Sequence, residues 1–124
     1  MTREQERSLW LHRAVLGRLV EHPAAILELA RQNAIRLLGQ QARSGMTTHW
    51  LQQWLQVLYS GVDEVAQVLT SRSPLALELR QNSPFAGALP QQTRSLVLAA
   101  FAKHWRDEHT AGHEGSGREQ LASA

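Results

Sequence analysis

Histidine is the first residue type to consider for catalysis or metal binding, because the chain has no cysteine and therefore no thiolate nucleophile. Imidazole and carboxylate groups are common zinc ligands, so a metal-dependent activity at the C-terminal histidines is one alternative function. A metal site needs ligands held in a fixed geometry, however, and residues 107–124 have the composition of a flexible tail. We therefore expect no bound metal and no cofactor. The histidines and acidic residues in question are His104, His109 and His113, with Asp107, Glu108 and Glu114.

Other catalytic signatures are absent from the sequence. It contains no nucleophile-elbow motif, no P-loop and no dinucleotide-binding glycine pattern. The acidic pair Asp63 and Glu64 is typical of the first turn of a helix, where carboxylates stabilise the helix dipole. His12 has the spacing of the inner face of a helix, so we expect a hydrogen-bonded histidine at the edge of the core. The sequence thus predicts a protein that is not an enzyme.

Composition and charge favour a small globular domain. Of the 124 residues, 43% are hydrophobic and 19% are charged, a balance that supports one packed core. The formal net charge is only +2, and the arginines of the first two predicted helices alternate with glutamates. A DNA-binding regulator that uses these Arg-rich helices, or the outward Gln52, Gln53 and Gln56 of the third, is a second alternative. No signal-peptide core and no run of 18 apolar residues occurs, so we expect a cytoplasmic protein.

Apolar residues follow helical spacing along most of the chain, whereas the alternation typical of strands is nearly missing. Short links join the helical segments, which favours an all-α fold: a compact orthogonal bundle of five or six helices. We expect residues 1–106 to form a single domain and residues 107–124 to form a flexible tail. The predicted helices are 3–20, 23–41, 48–59, 62–70, 74–81 and 90–105.

Cap and core positions follow from the same pattern. Thr47 or Thr48 is the predicted N-cap of the third helix, and Ser60 is a start signal for the fourth. Ser73 followed by Pro74 is a clearer start for the fifth. Trp50 and Trp54 are expected in the core, whereas Trp10 and Trp105 are candidates for partial exposure at an interface. The last helix is expected to pack Leu96, Val97, Ala100 and Phe101 inward.

The segment that links the fifth helix to the last one is the least generic part of the sequence. It places polar residues at a helix end, followed by a turn that contains proline and glycine. Such an elbow presents hydrogen-bonding groups that lose little conformational entropy on binding, which suits a recognition surface. The simpler interpretation is that Arg80 and Asn82 only cap carbonyl groups at the helix end. The residues predicted to bind a protein partner are Arg80, Gln81, Asn82, Ser83, Pro84 and Phe85.

Residues 78–89 read ELRQNSPFAGAL, and residues 11–15 read LHRAV. Together these stretches resemble small all-helical bacterial proteins, common in actinobacteria, that carry an ELRQNSPFAG-like signature. The resemblance implies an antitoxin-like or regulator-associated protein that binds and restrains a protein partner, a toxin encoded nearby being one candidate, and that can contribute to regulating its own operon. It also leaves a homodimer open. The signature transfers no catalytic residue to this chain.

Overall fold

The described part of the protein is a bundle of six α-helices. A computed structural model describes residues 1–40 and 45–117, with side chains for residues 1–40 and 45–110. These residues contain no strand, which confirms the all-α prediction. None of the described helices combines the length and the apolar character needed to cross a membrane. The helices are α1 (Arg3–Glu21), α2 (Pro23–Gln40), α3 (Met46–Ser60), α4 (Val62–Thr70), α5 (Pro74–Gln81) and α6 (Gln91–Gly117).

Local signals explain where several helices begin. At the start of α1 the Thr2 hydroxyl accepts the Gln5 N–H at 3.1 Å, and the Gln5 side chain accepts the Thr2 N–H at 2.8 Å. This reciprocal capping box satisfies two backbone donors that lack helical partners. Ser73 caps α5 as predicted, since its hydroxyl accepts the Ala76 N–H at 3.2 Å and Pro74 follows it. The predicted bounds of α4 and α5 are confirmed.

Two predicted caps are wrong, and glycine takes the place of a hydroxyl in both. Gly45 occupies the N-cap position of α3, ahead of Thr47 and Thr48, so this helix begins earlier than predicted. Gly61, rather than Ser60, precedes α4. Gly61 has a φ of 114°, in a region that favours glycine, which lets one residue end α3 and begin α4.

The core lies where α1, α2, α3 and α4 meet, and it closes over α5 and the segment that follows. Trp54 of α3 is fully buried, as predicted, whereas Trp50, also expected in the core, is half-buried against its edge. The Trp54 indole Nε1 donates to the Leu79 carbonyl at 2.6 Å, and its ring meets Phe85 edge to face with centroids 5.3 Å apart. Trp54 therefore joins α3 to the end of α5 and to the elbow. The other buried members of this cluster are Val15, Leu19, Ile26, Ala30, Leu58, Val65, Leu69 and Ala88.

The last helix is longer than predicted. The sequence places its end at Trp105, but α6 continues to Gly117. The predicted boundary between the domain and the tail therefore falls inside a helix. The remainder of the predicted tail, residues 118–124, lies outside the described residues. Apolar periodicity indicates which side of a helix is buried, so it does not detect exposed helical residues such as 106–110.

Side-chain contacts between residues four positions apart stabilise α6 just beyond its predicted end at Trp105. Lys103 Nζ donates to Asp107 Oδ2 at 2.7 Å, and this hydrogen bond lowers the pKa of the Asp107 carboxyl. The His109 ring lies on the Trp105 ring with centroids 3.9 Å apart, and His109 Nδ1 is 2.8 Å from the Trp105 carbonyl oxygen. Both pairs have the i,i+4 spacing that stabilises exposed helices.

Helix α6 packs mainly against α1. Phe101 is buried, as predicted, and Trp10 of α1 meets its ring edge to face with centroids 5.7 Å apart. Leu96 and Ala100 are exposed, although the spacing predicts that both face inward. Leu96 retains 65% of its accessible surface. Because α1 covers only one side of α6, part of the apolar stripe of α6 faces solvent.

Candidate functional site

A buried histidine of α1 holds the elbow, which we define as residues 80–89. His12 is 7% exposed, with Nδ1 2.7 Å from the Ser8 carbonyl oxygen and Nε2 2.8 Å from Ser83 Oγ. The Ser8 carbonyl oxygen can only accept a hydrogen bond, so the proton of the neutral ring resides on Nδ1. Nε2 then accepts the Ser83 hydroxyl proton, while Ser83 Oγ accepts the Phe85 N–H at 3.2 Å. These contacts confirm the prediction of a hydrogen-bonded histidine at the edge of the core.

This Ser–His pair has the spacing of a nucleophile and its general base. Burial is the main cause that lowers the pKa of His12 from 6.5 to about 4; the hydrogen bond with Ser8 opposes the shift and the charge of Arg80 adds to it. A base with so low a pKa accepts a proton poorly at neutral pH. A neutral ring, by contrast, makes both hydrogen bonds at pH 7. We therefore describe the pair as the His12–Ser83 clasp, a structural link between α1 and the elbow.

A second side chain holds the elbow from α2. Asn33 Nδ2 donates to the carbonyl oxygens of Pro84 and Ala86, both at 2.9 Å. Its Oδ1 accepts from Arg36 Nη2 at 3.0 Å. Helical spacing puts Asn33 on the outward face of α2, so nothing in the sequence indicates this contact. An outward asparagine is too common a feature to indicate which distant carbonyl groups it satisfies.

Arg80, predicted to bind a partner, is buried and joins α4 to α5. It is 3% exposed, and its Nη1 donates to the carbonyl oxygens of Val68 at 2.8 Å and Ser71 at 2.7 Å. Carbonyl groups at the end of a helix lack helical partners, so Arg80 caps the end of α4. Burial lowers the pKa of the Arg80 guanidinium, and the charges of Arg72 and Arg13 lower it further. The capping interpretation is thus supported, although the helix capped is α4 rather than α5.

Replacing Arg80 by methionine is expected to reduce the free energy of unfolding by about 1–3 kcal/mol. Methionine keeps an apolar stem in the buried position but leaves the Val68 and Ser71 carbonyls without their donor. Urea unfolding followed by far-UV circular dichroism measures the change. Arg72→Met is the control, because its ion pair with Glu6 is exposed and should cost less than about 1 kcal/mol. Equal losses in the two variants would contradict a capping role for Arg80.

The structure gathers the six predicted elbow residues around one turn but exposes only some of them. Gln81 is exposed, and Asn82 and Ser83 are half-buried. The Asn82 side chain also donates to the Glu78 carbonyl at 3.0 Å, as a helix cap does. Direct contact with a partner is therefore limited to Gln81 and the accessible parts of its two neighbours, and stays a prediction there. The buried residues of the six are Arg80, Pro84 and Phe85.

An apolar depression lies beside α1 where α6 is uncovered, and we call it the α1–α6 groove. It has a volume of about 420 Å³ and is lined by Trp10, Arg13, Leu96, Val97 and Ala100. Arg13 is exposed and makes no ion pair with a described residue. Contiguous exposed apolar surface often marks an interaction site, and Trp and Arg are enriched where binding energy concentrates. The prediction that Trp10 is partly exposed is confirmed.

The C-terminal histidines do not assemble a metal centre in the described part of the chain. No group of three potential metal ligands occurs there. His104 lies against the Trp10 ring, with centroids 5.0 Å apart, and His109 lies against Trp105. The side chains of His113 and Glu114 are outside the described residues. The metal alternative therefore gains no support from the residues that the structure shows.

The charged faces of α1 and α2 are mixed, as the sequence predicts. Each glutamate near an arginine offsets positive charge that a DNA phosphate would otherwise meet. Gln52 and Gln56 are exposed on α3, as predicted, whereas Gln53 is half-buried. The ion pairs on α1 and α2 therefore add no support to the DNA-binding alternative. The pairs are Arg3 and Arg7 with Glu4, Arg18 with Glu21, and Arg31 with Glu28.

Comparison with known proteins adds no relative: no protein-family model, no curated protein and no solved structure matches this chain. The resemblance to small actinobacterial helical proteins consequently rests on the sequence signature alone. The class defined by the fold and the site is a small all-α bundle with a clasped elbow and an exposed apolar groove.

Proposed function

We propose that the protein is a non-enzymatic interaction protein of the bacterial cytoplasm that binds and restrains a protein partner. The observation that carries the proposal is the α1–α6 groove, where apolar side chains stay exposed on the last helix. Leu96, at 65% exposure, is the most accessible of the large apolar residues there. Burial of apolar surface contributes about 25 cal/mol per Å², so a partner that covers this groove gains affinity directly from it.

One wall of the groove is packed against a buried ring. Trp10, which lines the groove, meets the buried Phe101 ring edge to face, and the Arg3 guanidinium lies 5.3 Å from the Phe101 ring centroid. A guanidinium over an aromatic face is a favourable cation–π contact. A surface already ordered in the free protein loses less conformational entropy on binding. This pre-ordering supports a recognition role for the groove.

The elbow contributes a second, smaller contact in this proposal. Gln81 offers an accessible amide, and the His12–Ser83 clasp keeps the backbone around it in place. The antitoxin-like form of the proposal, with a toxin encoded nearby as partner and a contribution to operon regulation, is the one that the sequence signature favours.

Leu96→Glu is expected to weaken partner binding at least about a hundredfold while leaving the fold intact. A carboxylate brought into an apolar interface without a counter-charge costs several kcal/mol, whereas an exposed position tolerates it in the free protein. The measurement is co-expression with the product of the adjoining gene, co-purification, and titration calorimetry of the purified pair. Circular dichroism of the free variant checks that the helices are retained.

Ile35→Glu is the matched control, because Ile35 is 53% exposed on α2 and does not line the groove. Binding that survives in this variant but is lost with Leu96→Glu supports the groove. Equal binding in both variants removes the groove from the interface. A double variant, Gln81→Ala with Asn82→Ala, tests the elbow in the same titration, and loss of binding there alone would move the main contact to the elbow.

A further inference from the structure

A cavity of about 260 Å³ lies between α1, the elbow and the beginning of α6. It shares no lining residue with the α1–α6 groove. Apolar side chains form much of its wall, namely Leu11, Val15, Phe85 and Leu89. Sites for drug-sized ligands usually measure about 300–1,000 Å³, so a cavity of this volume fits a smaller molecule.

The polar side chains inside this cavity already satisfy each other. His12 and Ser83 both line it, and the hydrogen bond of the clasp joins them at 2.8 Å. Burial keeps the His12 ring neutral at pH 7. A charged group placed against this inner wall would lose its hydration without gaining a counter-charge, which is costly. The inner part of the cavity therefore suits the apolar part of a ligand.

Arg94 is the one charged residue among those that line the cavity. It is exposed and makes no ion pair or side-chain hydrogen bond with any residue in the described ranges. Its N–H closes the first turn of α6 by donating to the Pro90 carbonyl at 2.9 Å, so the positive end of the helix dipole lies nearby. A guanidinium binds a carboxylate through two parallel N–H···O bonds.

We propose that this cavity binds a small monocarboxylate with a short aliphatic tail. The carboxylate pairs with Arg94 at the mouth, and the tail lies against Leu11, Phe85 and Leu89. One unpaired cation matches one negative charge, whereas a phosphate dianion would leave part of its charge without a partner. The site stands apart from the proposed protein-binding groove, so either assignment can fail without the other.

Titration of the full-length, ¹⁵N-labelled protein with hexanoate tests the proposal. Saturable shifts are expected at the backbone amides of Ala86 and Gly87, which line the cavity. Arg94→Gln should weaken binding about tenfold, because it removes a charge-assisted hydrogen bond. The matched variant is Arg106→Gln, an exposed arginine on the same helix that does not line the cavity, and it should bind hexanoate as the unaltered protein does.

Two further ligands separate the contributions of charge and tail. Hexanol lacks the carboxylate and acetate lacks the tail, so each should bind at least about tenfold more weakly than hexanoate. The proposal is overturned if hexanoate causes no saturable shift, or if Arg94→Gln and Arg106→Gln bind it equally well. It is also overturned if the shifts map to Leu96 and Ala100 rather than to the elbow, since hexanoate would then occupy the α1–α6 groove.

Discussion

Acidification from pH 6.5 to pH 4 is expected to destabilise the fold by about 3 kcal/mol through His12 alone. In the native protein the pKa of His12 is lowered to about 4, whereas in the unfolded chain it returns to its ordinary value of 6.5. Between these two values the unfolded chain binds more protons than the native protein. The contribution of His12 to stability is therefore present above pH 6.5, is lost as the pH falls through the native pKa of about 4, and levels off below that pKa.

The surroundings of His12 explain why protonation is so unfavourable. Its Nε2 accepts the Ser83 proton, so a proton on Nε2 would break the clasp. The Phe85 ring lies edge-on to the imidazole with centroids 6.3 Å apart, and no carboxylate is among the groups that shift its pKa. The one charge that does so is the positive charge of Arg80. A protonated His12 would thus be a buried cation beside another cation.

The measurement is urea unfolding at a series of pH values, with His12→Gln as the non-titrating variant. Between pH 6.5 and pH 4, the free energy of unfolding of this variant should fall by about 3 kcal/mol less than that of the unaltered protein. His22→Gln is the control, because His22 is exposed in the link between α1 and α2 and its side chain makes no described contact. If His12→Gln has the same pH dependence as the unaltered protein, the clasp does not depend on a neutral imidazole.

Most of the helical framework could be predicted from the sequence, because apolar spacing and proline or serine signals act locally. The bounds of α4 and α5 follow directly from such signals. The start of α3 does not, since Gly45 rather than Thr47 or Thr48 is its N-cap. At α4 the predicted start is right, but Gly61 rather than Ser60 precedes the helix. The length of α6 also could not be predicted from apolar spacing, because residues 106–110, just beyond its predicted end, are all exposed.

Several residues of the site could be predicted from the sequence, but the contacts between them could not. The sequence places His12 on an inner face and identifies the elbow as a structured turn, and both hold. The partners of these groups are remote, however: the clasp joins residues 71 positions apart, and the contact from Asn33 to Pro84 spans 51 positions. Arg80 likewise satisfies carbonyls of a different helix. Polar side chains with remote partners carry no local periodicity, so only the folded arrangement reveals that they build the elbow.

Trp54→Ala is expected to lower the free energy of unfolding by about 3–5 kcal/mol. The side chain is fully buried, so truncation leaves a cavity in the core and removes the donor of the Leu79 carbonyl. A small domain is stable by only about 5–15 kcal/mol, so this variant approaches unfolding at room temperature. Trp105→Ala, at a half-buried position on α6, should cost about 1 kcal/mol in the same urea titration.

Trp54→Phe keeps a folded protein in which the indole hydrogen bond can be tested separately. Phenylalanine retains the edge-to-face contact with Phe85 but leaves the buried Leu79 carbonyl unpaired, at a cost of about 1–3 kcal/mol. Stability equal to that of the unaltered protein would show that the hydrogen bond contributes nothing.

Because Trp54 and the His12–Ser83 clasp both hold the elbow around Phe85, the two sites should not act independently. The double variant combines Trp54→Phe with His12→Gln. Its loss in the free energy of unfolding should be smaller than the sum of the two single losses by at least about 0.5 kcal/mol, because either change alone already loosens the elbow.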